Sequence, residues 1–389
     1  MLDPNISQKN VINVIDDIFA DAVKEGASDI HFEPQRDKLI IRYRVDGSLN
    51  IVFRGALSLY EKMLARVKVL AQLDMTGLPK PQEGNIRFED EDAGAVDLRI
   101  SIFPVNFGEC IVIRILEDKL NVENFANLGF SNEQINELEK VIRKPYGLIL
   151  VTGPTGSGKS TTIFSMLSKL NTPDKSIVTL EDPVERKIKM IRQTRIDASR
   201  GLTFAEGLKR LMRQDPDVIM VGEIRDRETA KIAVQAAVTG SLVLATIHTN
   251  TAAGAIVRLI NMGVEPFLLA SSLKFISAQR LGRQNCPDCK EEYVPSKQLT
   301  DILDAPIGAK FYHSTGCSSC SQRGFKGRKA IHEVLMVSRE IEDLILTKPS
   351  DDQIQTIAVR EGMVTLRRAA LEKVYEGKIC IEEAIRLTE

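Results

Sequence analysis

The chain has 389 residues, which is enough for two or three domains of ordinary size, each with its own core. Its 52 Lys and Arg residues are balanced by 53 Asp and Glu residues, and the formal net charge of −1 excludes a general electrostatic attraction to nucleic acid or acidic lipid. No apolar run reaches the roughly 20 residues that cross a bilayer, and the N-terminus lacks a signal-peptide pattern, which together predict a soluble, cytoplasmic protein.

The first part of the chain has the pattern of a small α+β domain. Apolar residues at helical spacing predict a helix over 11–25 and another near 59–73. Short alternating segments predict strands, with Asp46-Gly47 as a hairpin turn, and these strands are 39–43, 48–52, 85–88, 96–102 and 109–116. We assign residues 1–117 to this domain and the polar, weakly periodic segment 118–130 to a linker.

The following part alternates strands and helices. A helix is expected over 131–143. Near-continuous apolar runs then predict strands that are covered on both faces of a largely parallel sheet, and these are 148–152, 176–180, 217–221 and 242–246. We assign residues 131–280 to this α/β domain.

Beyond residue 280, paired cysteines, prolines and glycines indicate a small domain that is not held by a large core. Its two C-x2-C pairs are typical of a structural, tetrahedral Zn²⁺ site, with Cys286, Cys289, Cys317 and Cys320 as ligands. A redox pair or a coincidence of spacing is the alternative. We assign residues 281–335 to a zinc-binding domain and residues 336–389, which look helical, to a C-terminal extension.

The remaining cysteines and two histidines receive simpler interpretations. Cys110 and Cys380 are expected to be small buried apolar residues. His313 and His332 are expected to be ordinary polar groups, although either could replace a thiolate as a zinc ligand.

A glycine-rich segment joins the predicted strand 148–152 to a predicted helix. Its residues are Gly153, Pro154, Thr155, Gly156, Ser157, Gly158, Lys159, Ser160 and Thr161. Glycines let backbone N–H groups turn toward an anion, and the following helix adds the positive end of its dipole. In this pattern Lys159 reaches the outer phosphates of a nucleotide and Ser160 supplies a hydroxyl to Mg²⁺. The segment therefore predicts a nucleotide phosphate site, and the alternative is a plain strand-to-helix turn.

Three further polar residues follow predicted strands and are therefore expected at the same edge of the sheet. We interpret Glu223 as the carboxylate that faces Mg²⁺ or the attacking water, and its alternative is a solvated acid. Glu185, in a turn stiffened by Pro183, could orient water or metal, and its alternative is a polar turn. His248 is interpreted as a sensor of the terminal phosphate, with a structural histidine as the alternative.

Three arginines are candidates for contact with phosphate. Arg99 and Arg114 lie in predicted strands of the first domain, and a guanidinium in such a place calls for an anionic partner. Both could reach a phosphate across a domain cleft, and salt bridges with Asp97 or Glu109 are an equal alternative. Arg213, at the end of a predicted helix, is a similar candidate.

These motifs together resemble, over essentially the whole chain, the type II secretion and type IV pilus assembly ATPases of the secretion-NTPase superfamily. The residues that carry the resemblance are Gly-Ala-Ser-Asp-Ile-His-Phe-Glu-Pro at 26–34, Arg-Val-Asp-Gly at 44–47, the phosphate loop, the acidic box at 181–185, the segments 213–217 and 222–226, the box that ends at 248–250, and the four paired cysteines.

The resemblance implies an α/β fold with a RecA-like P-loop ATPase domain. A PAS-like α+β domain would precede it, and a zinc-binding insert and a helical extension would follow. It also implies ATP, Mg²⁺ and Zn²⁺ as ligands, ATP hydrolysis, a homo-hexamer and docking on an inner-membrane platform protein. Within the family, arginines that match Arg99, Arg114 and Arg213 approach the nucleotide phosphates. Pilus retraction motors lack the four-cysteine insert, which favours the assembly and secretion branch.

Two positions depart from the family pattern. Asn85 stands where relatives usually have an arginine, and Lys209 stands where arginine is frequent, which keeps the charge without the bidentate geometry. The chain also begins at the second family domain. Larger relatives carry a further N-terminal domain that binds a membrane-anchored adaptor or a regulatory nucleotide, so adaptor binding stays an open alternative.

Two other functions use the same kind of core. A nucleic-acid translocase or DNA-transfer ATPase is disfavoured by the neutral net charge and the lack of a basic, aromatic-rich stripe, so we expect no nucleic-acid partner. An ATP switch or scaffold that seldom hydrolyses its nucleotide is disfavoured by the acids at Glu185 and Glu223. A pilus, a secretion system and a competence apparatus are all compatible with the motifs.

Overall fold

The computed structural model of the chain describes residues 10–90, 94–116, 124–302 and 309–388. The chain divides into two compact units, Met1–Leu120 and Asn121–Glu389. Each unit has its own hydrophobic core. None of the described helices is both long and apolar enough to span a bilayer.

A six-stranded antiparallel sheet forms the first unit. Its strands are β1 (Ala27–Pro34), β2 (Lys38–Val45), β3 (Ser48–Ala56), β4 (Gln82–Asp90), β5 (Gly94–Val105) and β6 (Gly108–Leu116), in the order β3-β2-β1-β6-β5-β4. Helices α1 (Val11–Lys24) and α2 (Leu57–Leu70) share one core with alternate strand residues such as Ile111 and Ile113. Burial therefore alternates along strands such as β2 and β6, as expected for a sheet with one covered face.

The structure confirms both predicted helices of the first unit and all five predicted strands, out of the six observed. Each of these five strands is longer than predicted. Helix α1 begins where the Asn10 side chain accepts the N–H of Ile12, and it is followed by Gly26 with a φ of 67°. The prediction omits β1, in which charged residues alternate with the buried Ile30 and Phe32. The α+β class of the unit is confirmed, and its likeness to PAS domains stays an expectation.

A seven-stranded sheet forms the centre of the second unit. Its strands are β7 (Gly147–Thr152), β8 (Ile177–Glu181), β9 (Arg192–Arg195), β10 (Val218–Val221), β11 (Leu242–Ile247), β12 (Leu273–Asn285) and β15 (Phe325–Met336). The strand order is β15-β12-β7-β11-β10-β8-β9, and only β15 runs antiparallel to its neighbour. The largely parallel sheet and its four predicted strands are therefore confirmed.

Helices cover both faces of this sheet. They are α3 (Asn132–Ile142), α4 (Lys159–Leu170), α5 (Phe204–Leu211), α6 (Arg227–Thr239), α7 (Ala252–Asn261) and α8 (Pro266–Ser272). In β7, Leu148 and Leu150 belong to one core cluster, and Ile149 and Val151 belong to another that includes α3 and α4. A strand buried on both faces must be apolar at every position, which explains the continuous apolar runs of the sequence.

The cysteine segment is inserted between two strands of the same sheet. It contains β13 (Lys290–Tyr293), α9 (Lys297–Ile302) and β14 (Phe311–Ser314), and β15 then returns to pair with β12. The predicted domain boundary at 280/281 falls inside β12. Polar residues interrupt the apolar run of this strand near its middle, so the sequence pattern does not reveal its full length.

The C-terminal residues are helical, as predicted. Helices α10 (Arg339–Leu346), α11 (Asp351–Arg360), α12 (Leu366–Tyr375) and α13 (Ile381–Thr388) contribute buried residues to the main core of the second unit. They are thus part of this unit's hydrophobic core.

The predicted linker at 118–130 lies partly outside the described residues, which exclude 117–123. Its later part packs into the second unit, because Phe125 is 0% exposed and Phe130 is 5% exposed in the core that also contains α3 and α4. These two aromatic residues are therefore core residues of the second unit.

Candidate functional site

The carboxyl ends of β7, β10, β11 and β8 lie at one edge of the parallel sheet. The glycine-rich loop follows β7, Glu223 follows β10 and His248 follows β11. The structure therefore brings together polar residues that are far apart in the sequence. Ligand sites of open α/β sheets commonly form at this edge.

The glycines of the loop have conformations and neighbours that other residues would not tolerate. Gly153, Gly156 and Gly158 have φ values of 145°, 78° and 87°. A Cβ at Gly153 would lie 2.4 Å from the carbonyl oxygen of Gln279, and a Cβ at Gly158 would lie 2.7 Å from its Nε2. Gly158 caps the N-terminus of α4, so the loop ends at the positive end of a helix dipole.

Lys159 is the first residue of α4, and its side chain folds back over the loop. Its Nζ donates hydrogen bonds to the carbonyl oxygens of Gly153 at 2.8 Å and Pro154 at 2.9 Å. Burial lowers the pKa of Lys159 to about 8, although the charge of Glu223 opposes this shift. A half-buried ammonium to which none of the described carboxylates is bonded is suited to an anionic ligand.

The other hydroxyls of the loop differ in burial. Ser157 is 3% exposed, and its Oγ is buried without a hydrogen-bond partner among the described residues. Ser160 is partly exposed beside Lys159, and Thr161 is exposed. An accessible hydroxyl at the first turn of the helix fits the predicted magnesium-binding role of Ser160.

Glu223 lies at the centre of a small charged cluster. Its carboxylate forms an ion pair with Arg225 and lies 3.3 Å from Nε2 of His248. The Glu223 side chain is 16% exposed, and its charge also acts on Lys159. The structure therefore places Glu223, His248 and Lys159 at one site, as the sequence predicts. The ion pair with Arg225 was not predicted.

The acidic segment at the end of β8 contains one buried acid, Glu181, and two exposed acids, Asp182 and Glu185. Glu181 is 3% exposed and accepts hydrogen bonds from Thr179 Oγ1 at 2.5 Å and Gln193 Nε2 at 3.0 Å, while burial raises its pKa. Glu185 is exposed. The sequence singled out Glu185, whereas Glu181 is the acid that the fold holds in place.

Threonine side chains connect the loops that carry the site. Thr152, at the end of β7, bonds through Oγ1 to Thr249, whose N–H donates to it at 2.8 Å. Thr246 Oγ1 donates to the carbonyl oxygen of Gly222 at 2.5 Å. The segment with His248 is thereby tied both to the start of the phosphate loop and to the residue before Glu223.

Two site residues were missed because β12 was not predicted. Gln279 is 2% exposed and accepts a hydrogen bond from Thr162 Oγ1 at 2.8 Å, so it braces α4 as well as the glycine loop. Arg280, the next residue, donates from Nη2 to the carbonyl oxygen of Asn250 at 3.0 Å. The available signal was the cluster of apolar residues just before Gln279 and Arg280, namely Leu273, Phe275, Ile276 and Ala278.

A separate cluster of four thiols lies in the inserted segment. The sulfur atoms of Cys286, Cys289, Cys317 and Cys320 all lie within 4.8 Å of one another. Three of their separations are 3.9, 3.9 and 3.8 Å, close to the edge of about 3.8 Å for a sulfur tetrahedron around Zn²⁺ at about 2.3 Å. They are too long for disulfide bonds.

Backbone donors stabilise the thiolate form of this cluster. The N–H groups of Cys317 and Gly324 each donate to Cys320 Sγ at 3.2 Å, and that of Gly316 donates to Cys289 Sγ at 3.3 Å. Although burial opposes the shift, the donors at Cys317 and Gly324 lower the pKa of Cys320 to about 6, whereas burial raises the pKa of Cys289 to about 12 against the donor at Gly316. The donor set therefore fits Zn²⁺, which binds cysteine as the thiolate.

The family profile described as type II/IV secretion system protein matches residues 5–386 of the chain. The chain belongs to this family. Among curated relatives, Type II secretion system ATPase E of Vibrio cholerae is 43% identical over 381 residues, which are 97% of this chain and 75% of the relative. Type IV pilus assembly ATPase PilB of Thermus thermophilus is 45% identical over 394 residues, which cover 100% of this chain and 43% of the relative.

Solved structures share the fold of this secretion-family chain. The pilus retraction motor PilT with bound ADP has a TM-score of 0.62 and 26% identity, with 96% of each chain covered. The ATPase DotB of Legionella pneumophila has a TM-score of 0.71 and 20% identity, with 96% of this chain and 94% of that chain covered. The mixed α/β fold predicted from the sequence is confirmed.

Arg99 and Arg114, which the resemblance to this family assigns to the nucleotide, are neighbours in the first unit. They are cross-strand partners on β5 and β6. Arg99 pairs with Glu83 at 2.9 Å, and Arg114 pairs with Asp29 at 3.1 Å while its side chain stays 61% exposed. Their contact with phosphate stays a prediction.

Both arginines form salt bridges, as in the alternative interpretation, but with acids other than the two that served as examples. Asp97 pairs with Arg87 at 3.0 Å. Glu109 is buried on the core face of β6, where it pairs with Lys68 at 2.6 Å. Glu109 lies five residues before Arg114 and therefore on the opposite face of β6. Asp97 shares a face with Arg99 but pairs with its cross-strand neighbour Arg87.

Arg213 lies away from the phosphate loop of its own chain. It is exposed just beyond α5, and the next residue, Gln214, accepts a hydrogen bond from Arg192 at the start of β9. Asp217 bonds to the N–H of Ser176 just before β8. These contacts place Arg213 at the amino ends of the strands, whereas the loop lies at their carboxyl ends. Arg213 therefore lies at the edge of the sheet opposite to the phosphate loop of its own chain, and its contact with phosphate stays a prediction.

The structure agrees with the simpler interpretation of Cys380, whereas Cys110 is less buried than expected. Cys380 is buried, Cys110 is partly buried, and neither belongs to the four-thiol cluster. His332 is 2% exposed, stacks on Phe130 with ring centroids 3.6 Å apart, and lies 2.8 Å from the carbonyl oxygen of Leu128. It is thus a structural histidine of the second unit.

Proposed function

We propose that the chain is an ATP-hydrolysing motor subunit of a type II secretion or type IV pilus assembly system. The observation that carries this proposal is the convergence of Lys159, Glu223 and His248 at the carboxyl edge of the sheet, in a chain of the secretion family. The relatives named above are described as ATPases of these two systems. The neutral net charge also suits a protein partner better than nucleic acid.

In this proposal the residues of the loop hold the nucleotide. Backbone N–H groups of residues 153–161 and the ammonium of Lys159 bind the phosphates of ATP. Ser160 and Glu223 would hold Mg²⁺, which neutralises charge that develops on the phosphates. Glu223 also orients the attacking water, and His248, 3.3 Å from it, responds to the terminal phosphate. Glu185 assists from the turn after β8.

Arginines supply the remaining positive charge. We propose that Arg99 and Arg114 reach the transferring phosphoryl group from the first unit. Arg213 would do so from a second copy of the chain, since it lies at the far edge of its own sheet. Hydrolysis changes the phosphate charge that these groups sense, so each cycle would move the two units relative to each other.

The assembly that we propose is a homo-hexamer docked on an inner-membrane platform protein. This part of the proposal rests on the family resemblance and on the position of Arg213, which needs another copy of the chain to meet a nucleotide. Light scattering with ATP or a slowly hydrolysed analogue should give a mass of about six chains. A mass that stays that of one chain would contradict it.

We also propose that the four-thiol cluster binds Zn²⁺ as a structural ion. Its support is the tetrahedral spacing of the sulfur atoms and the N–H donors directed at Cys289 and Cys320. All four positions around the ion would be filled by protein, so the site has no open position for catalysis. The ion would hold the inserted hairpin together.

The central experiment measures steady-state phosphate release with ATP. Lys159→Ala should lower turnover about hundredfold or more, because it removes the cation that faces the transferring group. Glu223→Gln should lower turnover by a similar factor while the protein still binds ATP, because the amide cannot act as a base.

The matched control for this experiment is Lys144→Ala. Lys144 is an exposed lysine just before β7, at the opposite edge of the same sheet, and its replacement should leave turnover unchanged. Turnover of the Lys159→Ala protein that equals that of the parent would refute the proposed function.

A further inference from the structure

Arg280 is a half-buried cation that none of the described carboxylates neutralises by an ion pair. Its Nη2 donates to the carbonyl oxygen and the side-chain oxygen of Asn250 at 3.0 and 3.3 Å, and its Nη1 donates to the carbonyl oxygen of Gln279 at 3.2 Å. All of these acceptors are neutral. A guanidinium that is partly removed from water is costly without an anion, so the site lacks one negative partner.

The carboxylate of Glu333 acts on the charge of Arg280 but is already hydrogen-bonded to other groups. Its two oxygens accept the N–H groups of Ala252 at 2.8 Å and Leu366 at 3.1 Å. The charge of Glu333 does not offset the effect of burial, which lowers the pKa of Arg280 from its usual value. The missing anion must therefore come from outside the described residues.

The topology shows where the guanidinium lies. Ala278 is the last residue of β12 that pairs with β7, opposite Thr152, so Arg280 stands just beyond the end of β7. β7 lies between β12 and β11, and Asn250 follows β11. The side chain of Arg280 thus crosses the carboxyl end of β7, where the glycine loop begins. Its charge also acts on Lys159.

We propose that Arg280 is a second phosphate-binding cation of the same chain, which joins Lys159 in binding the terminal phosphate of ATP. This inference rests on the proposed nucleotide-binding function and adds a residue to it. Because Arg280 bonds to Asn250, two residues beyond His248, it also connects the occupied phosphate loop to the segment that carries His248. Loss of the terminal phosphate on hydrolysis would remove the anion from Arg280.

The test compares two nucleotides that differ in the terminal phosphate. Isothermal titration of the full chain with Mg²⁺ and either ADP or the slowly hydrolysed analogue AMP-PNP gives both affinities. Arg280→Gln should weaken AMP-PNP binding about tenfold or more, as expected for a charged hydrogen bond, and ADP binding less than about twofold. Arg280→Met, a second neutral variant of similar length, should give the same pattern, and Arg280→Lys should recover part of the AMP-PNP affinity.

Arg283→Gln is the matched control. Arg283 lies three residues further along β12, where it pairs with Glu383 at 2.9 Å, and its replacement should change neither affinity. Equal weakening of both nucleotides in the neutral Arg280 variants would show that Arg280 only braces the loops, and would overturn the proposal. Unchanged binding of AMP-PNP would overturn it as well.

The same titration separates this inference from the proposed function. A parent protein that binds both nucleotides but hydrolyses no ATP would refute the motor function, and the Arg280 comparison would still be decisive. A parent that binds neither nucleotide would refute both proposals.

Discussion

His332 shows how burial can dominate the behaviour of a titratable residue, since it outweighs the hydrogen bond to Leu128 that raises the pKa of the ring. Its ring is stacked on Phe130, and its nitrogens face Ser277 Oγ at 3.1 Å and the carbonyl oxygen of Leu128 at 2.8 Å. Burial lowers its pKa to about 4, so the neutral ring is the folded form at neutral pH. From the sequence, His332 and His248 received different roles, but no local pattern showed that His332 is buried whereas His248 is exposed.

The low pKa of His332 predicts a specific pH dependence of stability. In the unfolded chain the imidazole of His332 becomes protonated below its ordinary pKa of 6.5. In the folded protein the same ring becomes protonated only near pH 4. The stabilising contribution is therefore complete above pH 6.5 and is lost as the pH falls toward 4. From pH 7.5 to pH 5 the loss should be about 2 kcal/mol.

Urea denaturation of the parent and of His332→Gln at pH 7.5 and 5 measures this loss. The variant should be less stable at pH 7.5 but should lose less stability on acidification than the parent. His313→Gln, which removes a histidine elsewhere in the second unit, should keep the slope of the parent. An unchanged slope in His332→Gln would contradict the prediction.

At the scale of elements, the buried Glu333 connects the C-terminal helices to the site. From β15, its carboxylate accepts the first N–H groups of α7 and α12 at Ala252 and Leu366. Negatively charged acceptors are favoured at helix N-termini, and Glu333 serves two of them at once. Helix α7 begins three residues after Thr249, so this contact holds the segment that follows His248.

Glu333→Gln should lower the free energy of unfolding by about 2 kcal/mol. The amide offers one acceptor and turns its NH2 toward a backbone N–H, which leaves a buried donor unsatisfied. Glu342→Gln is the control, because Glu342 is partly exposed and pairs with Lys274 at 3.4 Å, so its loss should cost less than about 1 kcal/mol. Equal shifts in the urea midpoint of the two variants would argue against the role of Glu333.

We expect the folding of the inserted hairpin, which is formed by β13 and β14 in the cysteine segment, to depend on a bound metal ion. The buried residues of this segment include Cys286, Phe311 and Cys320, which form too small a core to stabilise it. We expect the parent to hold about one zinc ion per chain, and Cys289→Ser or a strong chelator to release it. Metal analysis and proteolysis of the segment measure the effect.

The control for the metal prediction is Cys110→Ser, which changes a cysteine of the first unit outside the cluster. It should keep the zinc and the resistance to proteolysis of the parent. Full zinc occupancy in Cys289→Ser would show that the cluster does not need all four thiols.

At the scale of the whole molecule, the proposed catalytic groups come from both units and from another copy of the chain. Lys159, Glu223 and His248 lie in the second unit, and Arg99 and Arg114 lie in the first. If the site is divided as we propose, its activity would depend on the arrangement of the units. This division is the physical basis for proposing that hydrolysis drives motion.

Arg114→Gln tests the contribution of the first unit. If its guanidinium stabilises the charge of the transferring group, turnover should fall about hundredfold while ADP affinity stays within about twofold of the parent. Arg54→Gln, which changes an exposed arginine on β3 of the same sheet, should leave turnover unchanged. Turnover of Arg114→Gln within about twofold of the parent would contradict the proposed role.

The sequence by itself determined the features that are local in the chain. The phosphate loop, the paired cysteines, the amphipathic helices and the continuous apolar strands each depend on residues that are close together. Their backbone conformation and their chemistry follow from that spacing, so the α/β class, the candidate phosphate site and the cysteine cluster could all be predicted.

The tertiary structure alone decided which distant residues meet. The length and position of β12 bring Arg280 and Gln279 to the glycine loop, and the position of β8 buries Glu181 while Glu185 stays exposed. The loop after α5 places Arg213 at the opposite edge of the sheet. Strand order and strand length depend on packing between segments far apart in sequence, and no local pattern specifies them.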